Sequence, residues 1–463
     1  MVLTKEKIGI IGILGYFFLG IMAFVFYKER VIIFDMAFHT FEIVRTKSLA
    51  IQSERFGAMF TQIFPLIAVK LNLPLSQVMI LYSLSFVIFP LLAFILSLYI
   101  FKSKEIAISI LLFSILIVTH TFYWIQSELI QGTIFMLLFW AFVLKKKSID
   151  NFKFFDYILL GGMVITIVFY HPLVIFAFFF IAAFFYFSPN FLSKKIIYVS
   201  CISYFLTLIA KSILFFPGKY DHAKMSGLKF FIDLFPNYFT IPINFNFIKY
   251  CFYDYYFLLI FLIVVTVLYF KKKEFKKLAL LHITFWGYLF LINITNNHFG
   301  PQFYVESYYL LLSLFLIIPV VFDVFPLIRN QHVLFGSLIL IIVLRIYHIY
   351  NTQPIYSKRL AVVNNLLTST EKRLDKKLIF SEDQVPMDKL FISWSSSYEF
   401  LLLSSITNPS NARSMIILKE PNKYDWALGQ NDVLLTEWIV FKYKDLPRRY
   451  FDFRDRSSYK KME

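Results

Sequence analysis

Long runs rich in Phe, Leu, Ile and Val, each with at most one Asp, Glu, Lys or Arg, recur from residue 8 to about residue 350, and no other feature restricts this chain so severely. They lie at about 8–27, 75–100, 106–122, 127–144, 155–170, 172–187, 196–215, 252–270, 278–294, 304–322 and 332–350. A hydrocarbon layer needs ~20 apolar residues to cross it, and inside it a helix satisfies its own backbone. The pattern therefore predicts a polytopic α-helical membrane protein with about eleven transmembrane helices. Composition agrees, with 59% hydrophobic and 16% charged residues where soluble chains carry about a quarter charged. A wholly soluble enzyme is excluded. Disorder, a collagen-like repeat and a disulfide scaffold are excluded by 14 Gly, 16 Pro and 2 Cys. Cys201 and Cys251 have no ligand spacing or CxxC pattern.

The formal charge of +17 raises nucleic acid as a partner, but the placement of the cations argues otherwise. Lysines gather at Lys5 and Lys7, Lys102 and Lys104, Lys145 to Lys147, Lys194 and Lys195, and Lys271 to Lys277, each beside an apolar run. No basic groove or stacking platform accompanies them, so no nucleic acid is expected. Such clusters mark cytoplasmic loops, which puts the N-terminus in the cytoplasm of a bacterial cell whose inner membrane the chain spans many times. The first run has no small-x-small cleavage site after it and reads as a retained signal anchor. His171-Pro172 divides one overlong run into two spans. Segments 28–74, 216–251 and everything after about 351 then face the extracytoplasmic side. The cytoplasmic loops are too short and too basic for a nucleotide site, which speaks against an ATP-driven transporter.

After residue 350 the composition changes, with about eighteen basic and fourteen acidic residues and no spanning run. Residues 1–350 are read as the membrane domain and 351–463 as a small, soluble, extracytoplasmic α/β domain. Helices are expected at 358–375 and 397–406, and strands at 377–381, 389–393, 415–418 and 432–436.

Chemistry is sought in the outer loops. If 31–50 is helical, Asp35, His39, Glu42 and Thr46 fall at i, i+4, i+7 and i+11 and share one polar stripe. The expectation is an interfacial helix with its apolar face among lipid headgroups and its stripe toward a cavity, where a carboxylate acts as a base. An amphipathic helix whose polar side is merely solvated fits the same spacing. Segment 56–71, ending before a turn at Asn72-Leu73-Pro74, reads as a second horizontal or re-entrant helix.

A signal-anchor span, an aspartate soon after it in IFDMAFH (33–39), two loop helices and then KLNLPLSQVMILYSLSFVIFPLLAFILSLYIF (70–101) resemble the GT-C superfamily of polyprenyl-phosphate-sugar-dependent membrane glycosyltransferases. THTFYWIQSELIQGTIFMLLFWAFVL (119–144) is similar to that family's third-to-fourth span hairpin, and YHPLVIFAFFF (170–180) to a later one. The resemblance covers about 8–350. It implies a GT-C-like fold, a polyprenyl-phosphate sugar as donor, and a glycan, lipid or protein as acceptor. It also implies that Asp35, the acid of the first outer loop, acts on the acceptor hydroxyl. Many members carry two adjacent acids there, some of them holding a metal. Here Glu42 or Glu54 would have to supply the second, so no metal ligand is assigned, and a divalent metal is left open.

Sugar transfer also needs cations at the departing phosphate. Lys211 and Arg345 sit near outer span ends, and Arg55, Lys219, His222 and Lys224 lie in outer loops. Snorkelling of Lys211 and Arg345 and plain solvation of the loop residues are the structural alternatives. His39, Glu42, Glu128 and Glu306 are placed to orient acceptor or donor, although Glu128 and Glu306 could equally pair with cations. His120, His171 and His298 lack the HExxH spacing of a zinc site. The aromatic 216–250 loop reads as a lid. The leading expectation is therefore a lipid-linked-sugar-dependent transferase, whose tail at 351–463 could engage an envelope protein. The competing ones are a non-catalytic, partner-binding protein of the same scaffold, and a lipid or glycan transporter. Retained function in an Asp35 variant that still accumulates would favour the scaffold, whereas inverted repeats with a buried midplane acid would favour the transporter.

Overall fold

The computed structural model describes residues 3–215, 226–297, 300–370, 377–454 and 456–462. The chain begins with α1 (Lys5–Val25), then the short α2 (Tyr27–Val31), α3 (Phe34–Thr46) and α4 (Met59–Lys70). There follow α5 (Leu75–Ile95), α6 (Lys104–Phe113), α7 (Glu128–Lys146), α8 (Phe154–Val168), α9 (Val174–Tyr186) and α10 (Lys194–Leu214). The bundle is completed by α11 (Pro242–Tyr253), α12 (Tyr256–Lys271), α13 (Phe275–Thr295), α14 (Gln302–Pro319) and α15 (Gln331–Ser369).

Among the described residues, seven helices are long and apolar enough to cross a membrane, and α11 with α12 makes an eighth candidate bent by 89°. They are α1, α5, α7, α10, α13, α14 and α15, with α5 and α14 extended by further turns to Ile100 and Leu327. One face of α1 leaves Ile10, Phe17 and Phe24 exposed, as a lipid-facing helix does, while Gly9, Gly12 and Gly15 face inward. A β-carbon on Gly12 would lie 2.1 Å from the Phe94 ring, so a bare backbone is what lets α1 approach α5. The lysine clusters meet at one end of the bundle: Lys7 bonds Gln331, Lys104 the Leu3 carbonyl and Lys145 the Ile100 carbonyl.

Three of the expected spans are shorter as helices than the apolar runs suggest. α8 and α9 have 15 and 13 residues, and His171-Pro172 falls between them as the sequence predicts. α6 ends at Phe113, and the run expected to continue to 122 becomes buried, irregular backbone. Unpaired peptide groups are costly at that depth, so something must replace the helix's own bonds. Charged side chains do so. Arg345 donates to the carbonyls of Ile115, Val118 and Asp254 at 3.1, 2.9 and 2.6 Å. Glu306 accepts the N–H groups of Thr119 and Thr121 at 2.7 and 2.8 Å. Arg30 takes the Phe122 carbonyl at 2.6 Å.

The position expected as a boundary, residue 350, lies inside one helix. α15 runs 39 residues, ~58 Å at 1.5 Å per residue, and merges the last span with the first helix expected in the tail. Beyond it, β1 (Lys377–Ser381) lies between β2 (Ser414–Leu418) and β5 (Lys460–Lys461), all parallel. β3 (Val433–Leu435) and β4 (Val440–Lys442) form an antiparallel pair, and α16 (Ser396–Ser405) packs on β2. β1 and β2 read LIF and MIIL because both of their faces are covered, which is how parallel strands are encoded. The strand expected at 389–393 is instead a helical turn (Met387–Leu390) and bends, with Phe391 at φ 69°.

The tail rests on the first loop. Phe41 of α3 packs against Tyr398, Phe441 and Phe451, and the Tyr450 hydroxyl donates to the Leu73 carbonyl at 3.0 Å. α3 is thus enclosed between tail and bundle, with its apolar face in protein and not among headgroups, because the tail supplies the apolar partner that a lipid surface was expected to supply. α4 keeps the interfacial character: Met59, Ile63, Ile67 and the adjoining Phe56 and Leu71 make one exposed apolar stripe.

Candidate functional site

Asp35 owes its position to a clamp. Between α2 and α3 the chain extends at Ile33 and then turns through Phe34, whose φ of 38° is costly for a side chain with a β-carbon. The clamp holds that conformation. Arg359 donates to the Ile32 carbonyl at 3.0 Å and lies 4.6 Å over the Phe34 ring, while Glu399 accepts the Phe34 N–H at 3.0 Å. Arg359 and Glu399 form an ion pair with each side chain only 2% exposed, and Ser395 adds a 2.6 Å bond to Glu399. A long helix and the tail thereby fix the first turn of α3, in which Asp35 stands half-buried and His39 buried one turn later.

Opposite this turn, Arg55 and Glu128 pair at 3.0 Å, each side chain 12% exposed. Arg55 is set by the turn Phe56–Ala58, whose Gly57 donates to the Phe169 carbonyl at 3.2 Å. A β-carbon on Gly57 would come within 2.4 Å of the Tyr170 ring, so this close approach requires glycine. Glu128 opens α7, and Gln131, one turn on, shares its face and accepts from Thr61 at 3.1 Å. Gln126 donates to Glu128 at 3.1 Å.

Electrostatics join these pieces. The Tyr308 hydroxyl feels Arg55, Glu128 and Asp35 together, and Tyr82 feels Glu128 and Asp35. His39 and His171 both act on Glu128. Burial pushes the His39 imidazole below its ordinary range despite the nearby Glu128, leaving the ring neutral at pH 7. Around the same point the polar groups of His39, Tyr82, Gln126 and Gln131 are buried; His39 is within reach of Gln52 and Gln126 and Tyr82 of Gln62, while Gln131 Nε2 has no hydrogen-bond partner among the described residues. A buried polar atom left unsatisfied costs ~1–3 kcal/mol, so a neighbourhood this rich in loosely engaged polar groups suits a ligand that forms hydrogen bonds.

Of the residues expected at a site, Arg55 and Glu128 pair, His39 lies within electrostatic reach of Glu128, and Asp35 acts together with Arg55 and Glu128 on Tyr308. The others are engaged elsewhere. Glu42 lies on the same helix but is held by Arg45 at 2.6 and 3.1 Å. Lys211 donates to the Val168 carbonyl at 3.1 Å and lies 4.8 Å over Phe169, closing the end of α8. Glu306, expected to orient a substrate, also binds both threonine hydroxyls of the 119–121 turn and Tyr255, at 3.1 Å for the last. Arg345, expected at a phosphate, has all three nitrogens on carbonyls. Both are held by the same feature, a broken span whose peptide groups they bind. Lys219, His222, Lys224, His298 and the start of the expected lid, residues 216–225, lie outside the described residues, while the rest of that loop carries short helical turns and leads into α11.

Sequence reading missed Tyr82, Gln126, Gln131 and Tyr308. A signal existed for Gln131, a lone amide in an apolar run three residues after Glu128. It also missed Trp438, which is exposed and stacks on Trp394 at 4.9 Å, with Trp394 against Phe38 three residues from Asp35. Among the described residues no three His, Cys, Asp or Glu side chains gather as a metal site would require. The chain matches no protein-family description, no curated protein and no solved structure.

Proposed function

We propose that this protein is an integral-membrane glycosyltransferase that moves a sugar from a polyprenyl-phosphate carrier to a hydroxyl acceptor on the extracytoplasmic face of a bacterial inner membrane. The observation that carries the reading is that Asp35 acts with the Arg55–Glu128 pair on one tyrosine hydroxyl, Tyr308, beside further buried polar groups. Transfer requires a base at the acceptor oxygen and positive charge at the phosphate as the glycosidic bond breaks. Asp35 takes the proton. The acceptor oxygen bonds the anomeric carbon, and the electrons of the breaking C–O bond leave with the polyprenyl phosphate. Arg55, oriented by Glu128, meets that growing charge with a planar pair of donors. Gln126, Gln131, His39 and Tyr82 supply hydrogen bonds to sugar hydroxyls, and the apolar stripe of α4 suits a prenyl chain lying at the interface. The exposed Trp438 and its partner Trp394 offer an aromatic face on the acceptor side.

The test is release of polyprenyl phosphate from a panel of radiolabelled polyprenyl-phosphate hexoses by the protein in nanodiscs. Asp35→Asn is expected to lower release by roughly 10²–10⁴-fold with unchanged thermal unfolding. Release that persists at the wild-type rate in that variant would remove Asp35 from the chemistry, and with it the enzyme assignment.

A further inference from the structure

The turn between β3 and β4 presents a tryptophan to solvent. Trp438 is 65% exposed there, and one of its faces is stacked on Trp394, with ring centroids 4.9 Å apart and 24° between the planes. Its other face is left open. Trp394 in turn stands edge-on to Phe38 of α3 at 6.5 Å. The turn that carries Trp438 is pinned from two sides. The Thr436 hydroxyl and N–H both donate to the Ile439 carbonyl, at 2.6 and 3.1 Å, and the Tyr424 hydroxyl donates to the backbone carbonyl of Glu437 at 2.7 Å. The indole is therefore held out with little freedom left to lose when something covers it.

Two carboxylates accompany the rings. Glu437 directly precedes Trp438, is half-buried, and its carboxylate has no hydrogen bond or ion pair among the described residues. Glu382 directly follows β1, accepts from Ser393, the neighbour of Trp394, at 2.6 Å, and lies within electrostatic reach of Glu437. Burial and Glu382 both raise the Glu437 carboxyl above its ordinary range, so a donor bonded to it would relieve an unfavourable charge. The position agrees, since the carboxyl ends of parallel strands are where open α/β sheets receive their ligands.

We propose that Trp438, Trp394, Glu437 and Glu382 form a binding site for an uncharged glycan chain. The apolar face of a pyranose ring covers an indole, and its hydroxyls donate to carboxylate oxygens, so a sugar uses both kinds of group at once. Two carboxylates repel a phosphorylated or uronic-acid sugar. They equally disfavour an anionic lipid surface, where interfacial aromatic residues are accompanied by Lys and Arg. The row Trp438, Trp394, Phe38 leads back to the helix that carries Asp35. As the seat of the acceptor, the site deepens the transferase reading and rests on it, naming a glycan and not a lipid or protein; the binding itself does not depend on that reading.

The experiment uses the full chain in phosphatidylcholine nanodiscs, titrated calorimetrically with maltohexaose, cellohexaose and mannohexaose, and with hexagalacturonate as the charged control. Hydrogen exchange across 433–442 is followed in parallel. The Asp35→Asn protein is titrated as well, so that loss of transfer and loss of binding are read separately. Saturable binding of at least one neutral hexasaccharide, unchanged in Asp35→Asn, slower exchange in that segment and no binding of hexagalacturonate are expected. Binding should weaken roughly tenfold in Trp438→Ala and in Glu437→Gln, with Trp438→Phe recovering part of the loss. No saturable binding of any neutral probe overturns the proposal. So does binding that hexagalacturonate matches, or that neither Trp438→Ala nor Glu437→Gln weakens while both variants unfold at the wild-type temperature. Indole fluorescence quenched by brominated phosphatidylcholine in the wild type but not in Trp438→Phe would put this face against the membrane, and overturns it too.

Discussion

Two charged clusters lie toward the tail end of the bundle, and they differ in how completely the protein satisfies them. Around Glu306 and Arg345 every charged oxygen and nitrogen has protein partners, chiefly the peptide groups of the interrupted run after α6. Around Arg55 and Glu128 the ion pair is formed, yet the neighbouring buried groups of His39, Tyr82, Gln126 and Gln131 are only loosely engaged among the described residues. The first cluster substitutes for secondary structure, and the second has hydrogen-bonding capacity to spare. Charge inside a membrane protein therefore says where energy has been invested, while unsatisfied capacity says where a substrate could collect it.

The comparison breaks most visibly if the closed cluster is opened. Arg345→Met deletes three bonds to buried carbonyls and leaves Glu306 in an apolar surrounding with less positive charge nearby. A loss of about 3–5 kcal/mol is expected, seen as poor accumulation or a large fall in unfolding temperature in detergent. A variant that accumulates and melts like wild type would mean that the irregular backbone does not depend on this arginine. The same change at the open cluster should behave differently. Arg55→Gln keeps a hydrogen-bond donor beside Glu128 and is expected to cost less stability than Arg345→Met, but to slow sugar release by roughly 10²-fold. Equal stability losses at the two arginines would erase the distinction drawn between them.

Much of the architecture was legible, and the failures have a common origin. The apolar runs, the break at His171-Pro172, the register of Asp35 and His39 on one helix, and strands β1, β2 and β3 all follow from local periodicity. What could not be read was any contact closing over hundreds of residues. Glu399 meets the Phe34 N–H, and Arg359 the Ile32 carbonyl, across more than 320 positions, so neither residue carried a local signal of its role. Arg345 and Glu306 were correctly singled out as costly charges, but cost alone does not distinguish a splint from a ligand. The end of α6 at Phe113 is the same problem from the other side. Its continuation is apolar enough to span, and only distant charged side chains make an irregular path affordable there.

The finest test concerns His39, where the open cluster meets the clamp-fixed helix. Burial lowers its folded value from an ordinary 6.5, so the unfolded chain binds this proton at a higher pH than the folded one. Above 6.5 neither state is protonated and the residue contributes no slope. As pH falls below 6.5 the unfolded state gains the proton first, and stability declines by up to about 1.4 kcal/mol per unit until the folded value is reached. Carboxylates with ordinary values titrate nearer 4, and because the chain has 8 histidines, His39 is isolated between pH 5 and 6.5 only by comparing the wild type with a variant at this position. His39→Gln retains a hydrogen-bonding side chain and removes the titration, so its unfolding temperature should be flatter across that window than that of the wild type. Parallel curves would place the ring in contact with water or a compensating anion, and the neutral imidazole would lose its place among the groups offered to a sugar.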